Sequence, residues 1–139
     1  MITSRSEVIV RYAETDMMGV VYHGNYLSWF EIGRTNLLKD HGLCYRELEA
    51  AGYFLPVIEV GVRYRLPARY DDTLTILTFL RERPSARIRL EYEVRRGDEL
   101  LVTGFTVHVF IDRQGRPTRP PPSFTETMAT LFRSDQSPG

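Results

Sequence analysis

Between Arg11 and Tyr26 the chain reads Arg-Tyr-Ala-Glu-Thr-Asp-Met-Met-Gly-Val-Val-Tyr-His-Gly-Asn-Tyr, and this stretch gathers the groups best suited to chemistry. Asp16 falls in a loop that leads into a long helical pattern beginning near Gly24. A helix N-terminus presents unpaired main-chain N–H groups and the positive end of the helix dipole, which suit an anion or a developing oxyanion. A carboxylate opposite such a terminus, with a tyrosine and His23 nearby, has the makings of an acyl-transfer site. Met17, Met18, Val20 and Val21 flank Asp16, so partial desolvation of the carboxylate is expected. A plainer reading makes Asp16 a turn residue and His23 a surface side chain. Both readings fit these residues alone.

Other candidate groups read as structural. No Gly-x-Ser-x-Gly elbow, P-loop, Gly-x-Gly-x-x-Gly or His-Glu-x-x-His motif occurs. His23, His41 and His108 stand far apart in sequence, which gives no metal-ligand spacing. Glu31 and Arg34 are three residues apart on the helix and form an ion pair in the simplest reading. Cys44 has no recognisable activating partner and reads as a small, half-buried side chain. His108 shares a strand face with Thr106 and Phe110 and reads as packed, while His41 suits the helix C-terminus. Arg63, Arg65, Arg87, Arg89, Arg95 and Arg96 are geometrically suited to phosphates. Arg87 and Arg89, however, share a face with Glu91 and Glu93, the pattern of a solvated strand. Tyr26, Trp29, Phe30, Tyr53 and Phe54 either line an aryl pocket or, more simply, fill the core.

Positioning Asp16 requires the elements on either side of it. A strand is expected over Glu7–Tyr12, with Val8, Val10 and Tyr12 on one face. A helix follows from about Gly24 to His41, apolar over much of its circumference through Tyr26, Leu27, Phe30, Leu37 and Leu38. Gly42 takes the left-handed position after it, and a short helix runs from Tyr45 to Ala51. Ile58 to Leu66 alternates with period two and stops at Pro67. Thr73–Leu80 is a more uniformly apolar strand. Ala86–Val94 alternates strictly, and a turn at Arg96–Glu99 returns the chain along Leu100–Ile111. The region 117–139 is a proline-rich tail with a short helix over Thr125–Arg133 and a frayed end from Ser134. An α+β class follows. A helix apolar on most sides needs cover on most sides, and a curling antiparallel sheet of about five strands supplies it.

Length and composition bound the rest. The 139 residues suit one domain, 1–139, with an ordered core over about 6–130. Eighteen basic and eighteen acidic residues cancel, so bulk attraction to nucleic acid is not expected. One cysteine excludes an intramolecular disulfide framework and any multi-cysteine metal site. No secretory leader pattern and no run of 18 apolar residues occurs, so a cytoplasmic location without membrane insertion is expected.

The segment from Tyr12 through Thr15-Asp16, Gly19-Val20-Val21-Tyr22-His23 and Asn25-Tyr26, with Glu31 and Arg34, resembles the active-site region of the 4-hydroxybenzoyl-CoA thioesterase family. Within that hot-dog-fold family it is most similar to the Tol-Pal-associated acyl-CoA thioesterase branch. Tyr64, Pro67-Ala68 and Asp72 continue the likeness, which spans about residues 6–130. The resemblance implies a long helix wrapped by a curved antiparallel sheet, paired into dimers and often tetramers with sites between subunits. It implies that Asp16 acts as nucleophile, through a mixed anhydride, or as general base for water. The His23 N–H, helped by Gly24, would polarise the thioester carbonyl, and Tyr12 and the His23 side chain would orient Asp16 or water. Tyr22, Asn25, Tyr26 and Tyr64 fall at substrate-side positions. No metal and no cofactor beyond the substrate's own coenzyme A is implied. The expected activity is hydrolysis of an acyl-CoA or an acyl-carrier-protein thioester. A hot-dog dehydratase or hydratase is the rival enzyme, although the His23-Gly24-Asn25 context lacks its histidine–acid pairing. A non-catalytic or weakly active acyl-thioester-binding module is the rival from another class.

Overall fold

Ile88, Leu90, Tyr92 and Val94 turn inward and their charged neighbours outward, as their alternation requires, in the middle of a five-stranded antiparallel sheet. The computed structural model describes residues 1–136. In chain order the elements are β1 (Ile2–Ile9), a 3-10 turn (Tyr12–Glu14), α1 (Asn25–Asp40), α2 (Tyr45–Ala50) and β2 (Val57–Tyr64). They continue with β3 (Thr73–Leu80), β4 (Arg87–Arg96), β5 (Glu99–Val109) and α3 (Pro122–Gln136). The strands lie in the order β1-β3-β4-β5-β2, so β1 and β2 form the two edges.

The first strand departs from expectation. It starts at Ile2, and its inner face is built from Ile2, Ser4 and Ser6. Ser4 Oγ donates to Asp40 Oδ2 at 2.7 Å, and Asn36 Nδ2 donates to Ser6 Oγ at 2.9 Å, so small polar side chains seat β1 on the helix. Tyr12 does not share the face of Val8 and Val10. The 3-10 turn begins there and leaves Tyr12 77% exposed. The C-terminal helix is also longer than expected. Proline suits a first helical position, where no N–H is needed, and Pro122 starts the helix three residues early. Phe124, Met128 and Phe132 bury one face of it. The helix continues to Gln136, past Ser134 where fraying was expected; residues 137–139 of that expected end lie outside the described residues.

Helix α1 packs on β1, β3 and β4. Phe30 stacks on Tyr92 with ring centroids 4.3 Å apart, and Gly33 lets the helix close on Thr78. Beyond the helix, Gly42 adopts φ +80° and Leu43 N–H reaches back to Leu38 O at 2.8 Å, closing the C-terminus. The wrapping is incomplete. Leu27 and Ile32 remain exposed on the side away from the sheet.

A directed hydrogen-bond chain runs through the interior. Leu55 O can only accept, so His108 Nδ1 carries the proton and donates to it at 3.3 Å. His108 Nε2 therefore accepts from Thr106 Oγ1 at 2.8 Å, and Thr106 accepts from the Tyr92 hydroxyl at 2.7 Å. Arg34 Nη1 donates to the same Leu55 carbonyl at 3.0 Å, and its Nη2 pairs with Glu31, the structural pairing their spacing suggested. Burial, reinforced by the Arg34 charge, lowers the His108 pKa to about 4. His108 thus stays neutral in the folded protein while the unfolded chain takes up a proton near pH 6.5. Its contribution to stability is complete above about pH 6.5 and is lost as pH falls toward 4. Urea midpoints at pH 7 and pH 5 will show this loss in wild type and a smaller loss in His108→Gln. Equal pH dependence in both proteins would remove His108 from the account.

Candidate active site

The Asp16 loop is a short hairpin held at its base. Asp16 N–H donates to Val20 O at 2.9 Å, and Gly19, at φ +79°, returns its N–H to Asp16 O at 3.0 Å. Asp16 Oδ1 accepts Met18 N–H at 2.8 Å, which orients the carboxylate and leaves Oδ2 open. Val21 N–H donates to Ala68 O at 2.9 Å, tying the hairpin to the segment between β2 and β3. Asp72 Oδ2 in turn accepts Arg69 N–H and Arg96 Nη1, both at 2.8 Å, and secures that segment.

Glu14 carries a role that its sequence position hides. It is buried, accepting Arg11 N–H at 2.7 Å and Trp29 Nε1 at 3.2 Å on its carboxylate. Its carbonyl accepts Tyr22 N–H at 2.9 Å and Asn25 Nδ2 at 2.8 Å. One residue thus links the hairpin, the helix entry and the second turn of α1. Only half of a capping box is present, Glu14 accepting the Arg11 N–H, because an arginine side chain has no acceptor to return; the i,i+3 carboxylate is thus a weak local signal.

At the helix entry, Asn25 N–H donates to Tyr22 O and Leu27 N–H to Gly24 O. The main-chain N–H groups of His23 and Gly24 have no acceptor among the described residues. Asp16, Val20, Val21, His23, Tyr26, Tyr64, Arg65, Leu66 and Pro67 line a cleft of about 290 Å³ at this terminus. The Tyr64 hydroxyl donates to His23 O at 2.9 Å. Burial raises the pKa values of Tyr26 and Tyr64, so both hydroxyls are proton donors or neutral acceptors at ordinary pH.

The structure brings together only some of the candidate residues. Asp16, His23, Tyr26 and Tyr64 meet at the cleft. Tyr26 offers it a ring, since its hydroxyl accepts Ala68 N–H at 3.2 Å. Asn25 faces Glu14, and Tyr22 packs on the His23 ring, centroids 4.3 Å apart; neither lines the cleft. Tyr12 turns away and meets Tyr70 edge-on at 5.8 Å. Asp16 is exposed, contrary to the desolvation its neighbours suggested, because Met17 and Met18 point outward from the hairpin tip. Of the six candidate arginines, Arg65 alone lines this cleft; Arg96 pairs with Asp72 and Glu99, Arg95 with Glu93, and Arg89 lies over Phe105. Among the described residues no three His, Cys, Asp or Glu side chains converge as metal ligands, and no helix is long and apolar enough to cross a membrane.

A long helix packed on a β1-β3-β4-β5-β2 antiparallel sheet is the hot-dog fold, and residues 10–128 match the family model of the thioesterase-like superfamily. The chain belongs to that superfamily and is a thioester hydrolase. It is 37% identical over 112 residues to "Putative acyl-CoA thioesterase YneP" of Bacillus subtilis, a match covering 80% of this chain and 81% of that one. It is 40% identical over 74 residues to the acyl-CoA thioester hydrolase YbgC of Escherichia coli O6:H1, covering 53% of this chain and 55% of that one. The structure of a DHNA-CoA thioesterase from Staphylococcus aureus superposes with a TM-score of 0.91 at 32% identity, covering 97% of this chain and 94% of that one.

Proposed function

We propose that this protein hydrolyses acyl-CoA thioesters to a free acid and coenzyme A, with Asp16 as the reactive carboxylate. One observation carries the reading: Asp16 lines the same cleft as His23, whose main-chain N–H, like that of the adjoining Gly24, has no acceptor among the described residues. In this reading the thioester carbonyl lies toward the His23 and Gly24 N–H groups, which stabilise the oxyanion as the carbonyl carbon becomes tetrahedral. Asp16 either takes a proton from attacking water or attacks directly, forming an anhydride that water then opens. The carbon–sulfur bond breaks and the thiolate leaves as coenzyme A. A thioester is reactive enough that one carboxylate and one oxyanion site suffice, without metal or added cofactor. Arg65, which lines the cleft, is the candidate arginine for a substrate phosphate. The names of the Bacillus and Escherichia relatives support acyl-CoA over acyl-carrier-protein substrates, and the cytoplasm, where coenzyme A esters are made, is the compartment this reading requires.

The working unit is a dimer, or a tetramer built from dimers. Edge strand β2 exposes Val57, Ile58 and Val60, an apolar edge suited to a second copy of itself. Pairing there supplies the second wall that the exposed Asp16 lacks. Val60→Lys places like charges across that junction, and Val60 is exposed enough to be replaced without loss of the protomer fold. The variant is expected to sediment as a monomer and to lose most activity. A fully active dimer would remove β2 from the interface.

The direct test is thiol release from a panel of short-chain, long-chain and aryl acyl-CoAs. Turnover of at least one is expected. Binding without turnover across the panel would overturn the hydrolase mechanism and favour an acyl-thioester-binding role.

A further inference from the structure

Tyr64 is the last residue of β2, and its main chain is held against Val102 of β5. Its ring meets Tyr26 edge-on at 5.4 Å and the His23 ring edge-on at 6.3 Å. Tyr26 is itself pinned through its hydroxyl to Ala68. The Tyr64 side chain is therefore fixed at its base by the sheet and along its length by a second anchored ring. Its tip donates to the His23 carbonyl, 41 positions earlier in the chain, at 2.9 Å.

That carbonyl belongs to the peptide unit that carries the Gly24 N–H. In a planar trans peptide the C=O and N–H point in opposite directions, so a bond that fixes one fixes the other. A donor on the carbonyl oxygen also polarises the peptide and strengthens its N–H as a donor. The helix entry needs such a fixture. Gly24 is the N-cap, has no capping side chain and precedes the first regular turn. We infer that Tyr64 is a positioning residue for the oxyanion site, its hydroxyl holding the His23–Gly24 peptide so that the Gly24 N–H faces the thioester carbonyl. This inference rests on the hydrolytic reading above and assigns Tyr64 a role other than contact with the acyl group.

Tyr64→Phe deletes the hydroxyl and keeps the ring. Because Tyr64 is half exposed, the variant is expected to fold with an unchanged melting temperature. With the best acyl-CoA of the panel, kcat is expected to fall about tenfold while KM changes less than about twofold, the signature of an interaction made in the transition state. A second readout does not depend on turnover. In the Asp16→Asn background, the same acyl-CoA labelled with 13C at its thioester carbonyl is expected to show a carbonyl stretch lowered on binding. Adding Tyr64→Phe is expected to reverse part of that lowering. Unchanged kcat and unchanged carbonyl frequency would overturn the inference and leave the Asp16 mechanism standing. A raised KM at constant kcat would also overturn it, by making Tyr64 a substrate contact. If wild type turns over no acyl-CoA in the panel, the hydrolytic reading fails first and the inference falls with it.

Discussion

Asp16→Asn is expected to lower thiol release by at least about 10²-fold while leaving KM near wild type. Asparagine preserves shape, and its side-chain oxygen still accepts the Met18 N–H that orients the carboxylate at 2.8 Å. The hairpin is held by main-chain bonds from Asp16 to Val20 and from Gly19 to Asp16, which the substitution leaves intact. What disappears is the negative charge, needed equally by a base and by a nucleophile. Single-turnover hydrolysis in 18O-labelled water tests for the nucleophile: label entering the Asp16 carboxylate marks an anhydride opened at the Asp16 carbonyl carbon, whereas attack of water on the acyl carbonyl carbon, of thioester or anhydride alike, leaves the label in the free acid. His23→Ala is expected to cost less than Asp16→Asn, because the proposed donor at that position is the main-chain N–H. Equal rates for wild type and Asp16→Asn would remove Asp16 from the chemistry altogether.

The largest effect on stability is expected from Gly104→Ala. A Cβ on Gly104 would lie 2.6 Å from Phe30 Cε2, 2.7 Å from Phe30 Cζ and 2.8 Å from the main-chain oxygen of Gly61. None of these neighbours yields readily. Phe30 is wedged in its stack on Tyr92, and Gly61 O belongs to the paired strand β2. Relief requires either moving α1 off the sheet or parting β2 from β5, at a cost of about 2–3 kcal/mol. For a chain of this size that corresponds to a fall in melting temperature of roughly 7–10 °C. A variant melting within about 2 °C of wild type would show the inner face to be looser than its contacts imply.

The parts of the fold that announce themselves are those in which apolar periodicity does the positioning. β4 follows its alternation almost residue for residue, and α1 begins and ends within one residue of its pattern. β1 is hard to see because Ser4 and Ser6 face inward and are satisfied by Asp40 and Asn36, which no hydrophobic pattern records. Tyr12 is misplaced for the converse reason. Its aromatic ring extends the alternation of Val8 and Val10, but the 3-10 turn rotates it outward. In the site, Asp16 and His23 are legible because a loop carboxylate before a helix entry is a local arrangement. Glu14 is not, since its burial depends on Trp29, fifteen residues away and reachable only after the helix folds back. The exposure of Asp16 is equally hidden. Met17 and Met18 are apolar by composition, but both side chains stand out in solvent and cover nothing.

The two edges of the sheet differ in a way that bears on the proposed pairing of two copies. β2 presents Val57, Ile58 and Val60, whereas β1 exposes Thr3, Arg5 and Glu7 and carries its one large apolar exposed side chain, Ile9, at its end. A two-fold contact between β2 strands uses the same patch on both copies and hides both apolar edges at once. The outermost strands of such a ten-strand sheet would be two copies of β1, whose charged Arg5 and Glu7 would resist a third chain adding on. Had the apolar residues been divided between β1 and β2, head-to-tail addition would have no natural end and would run toward fibres. With Ile9 confined to the end of β1 and three apolar side chains gathered on β2, the proposed pair would close on itself.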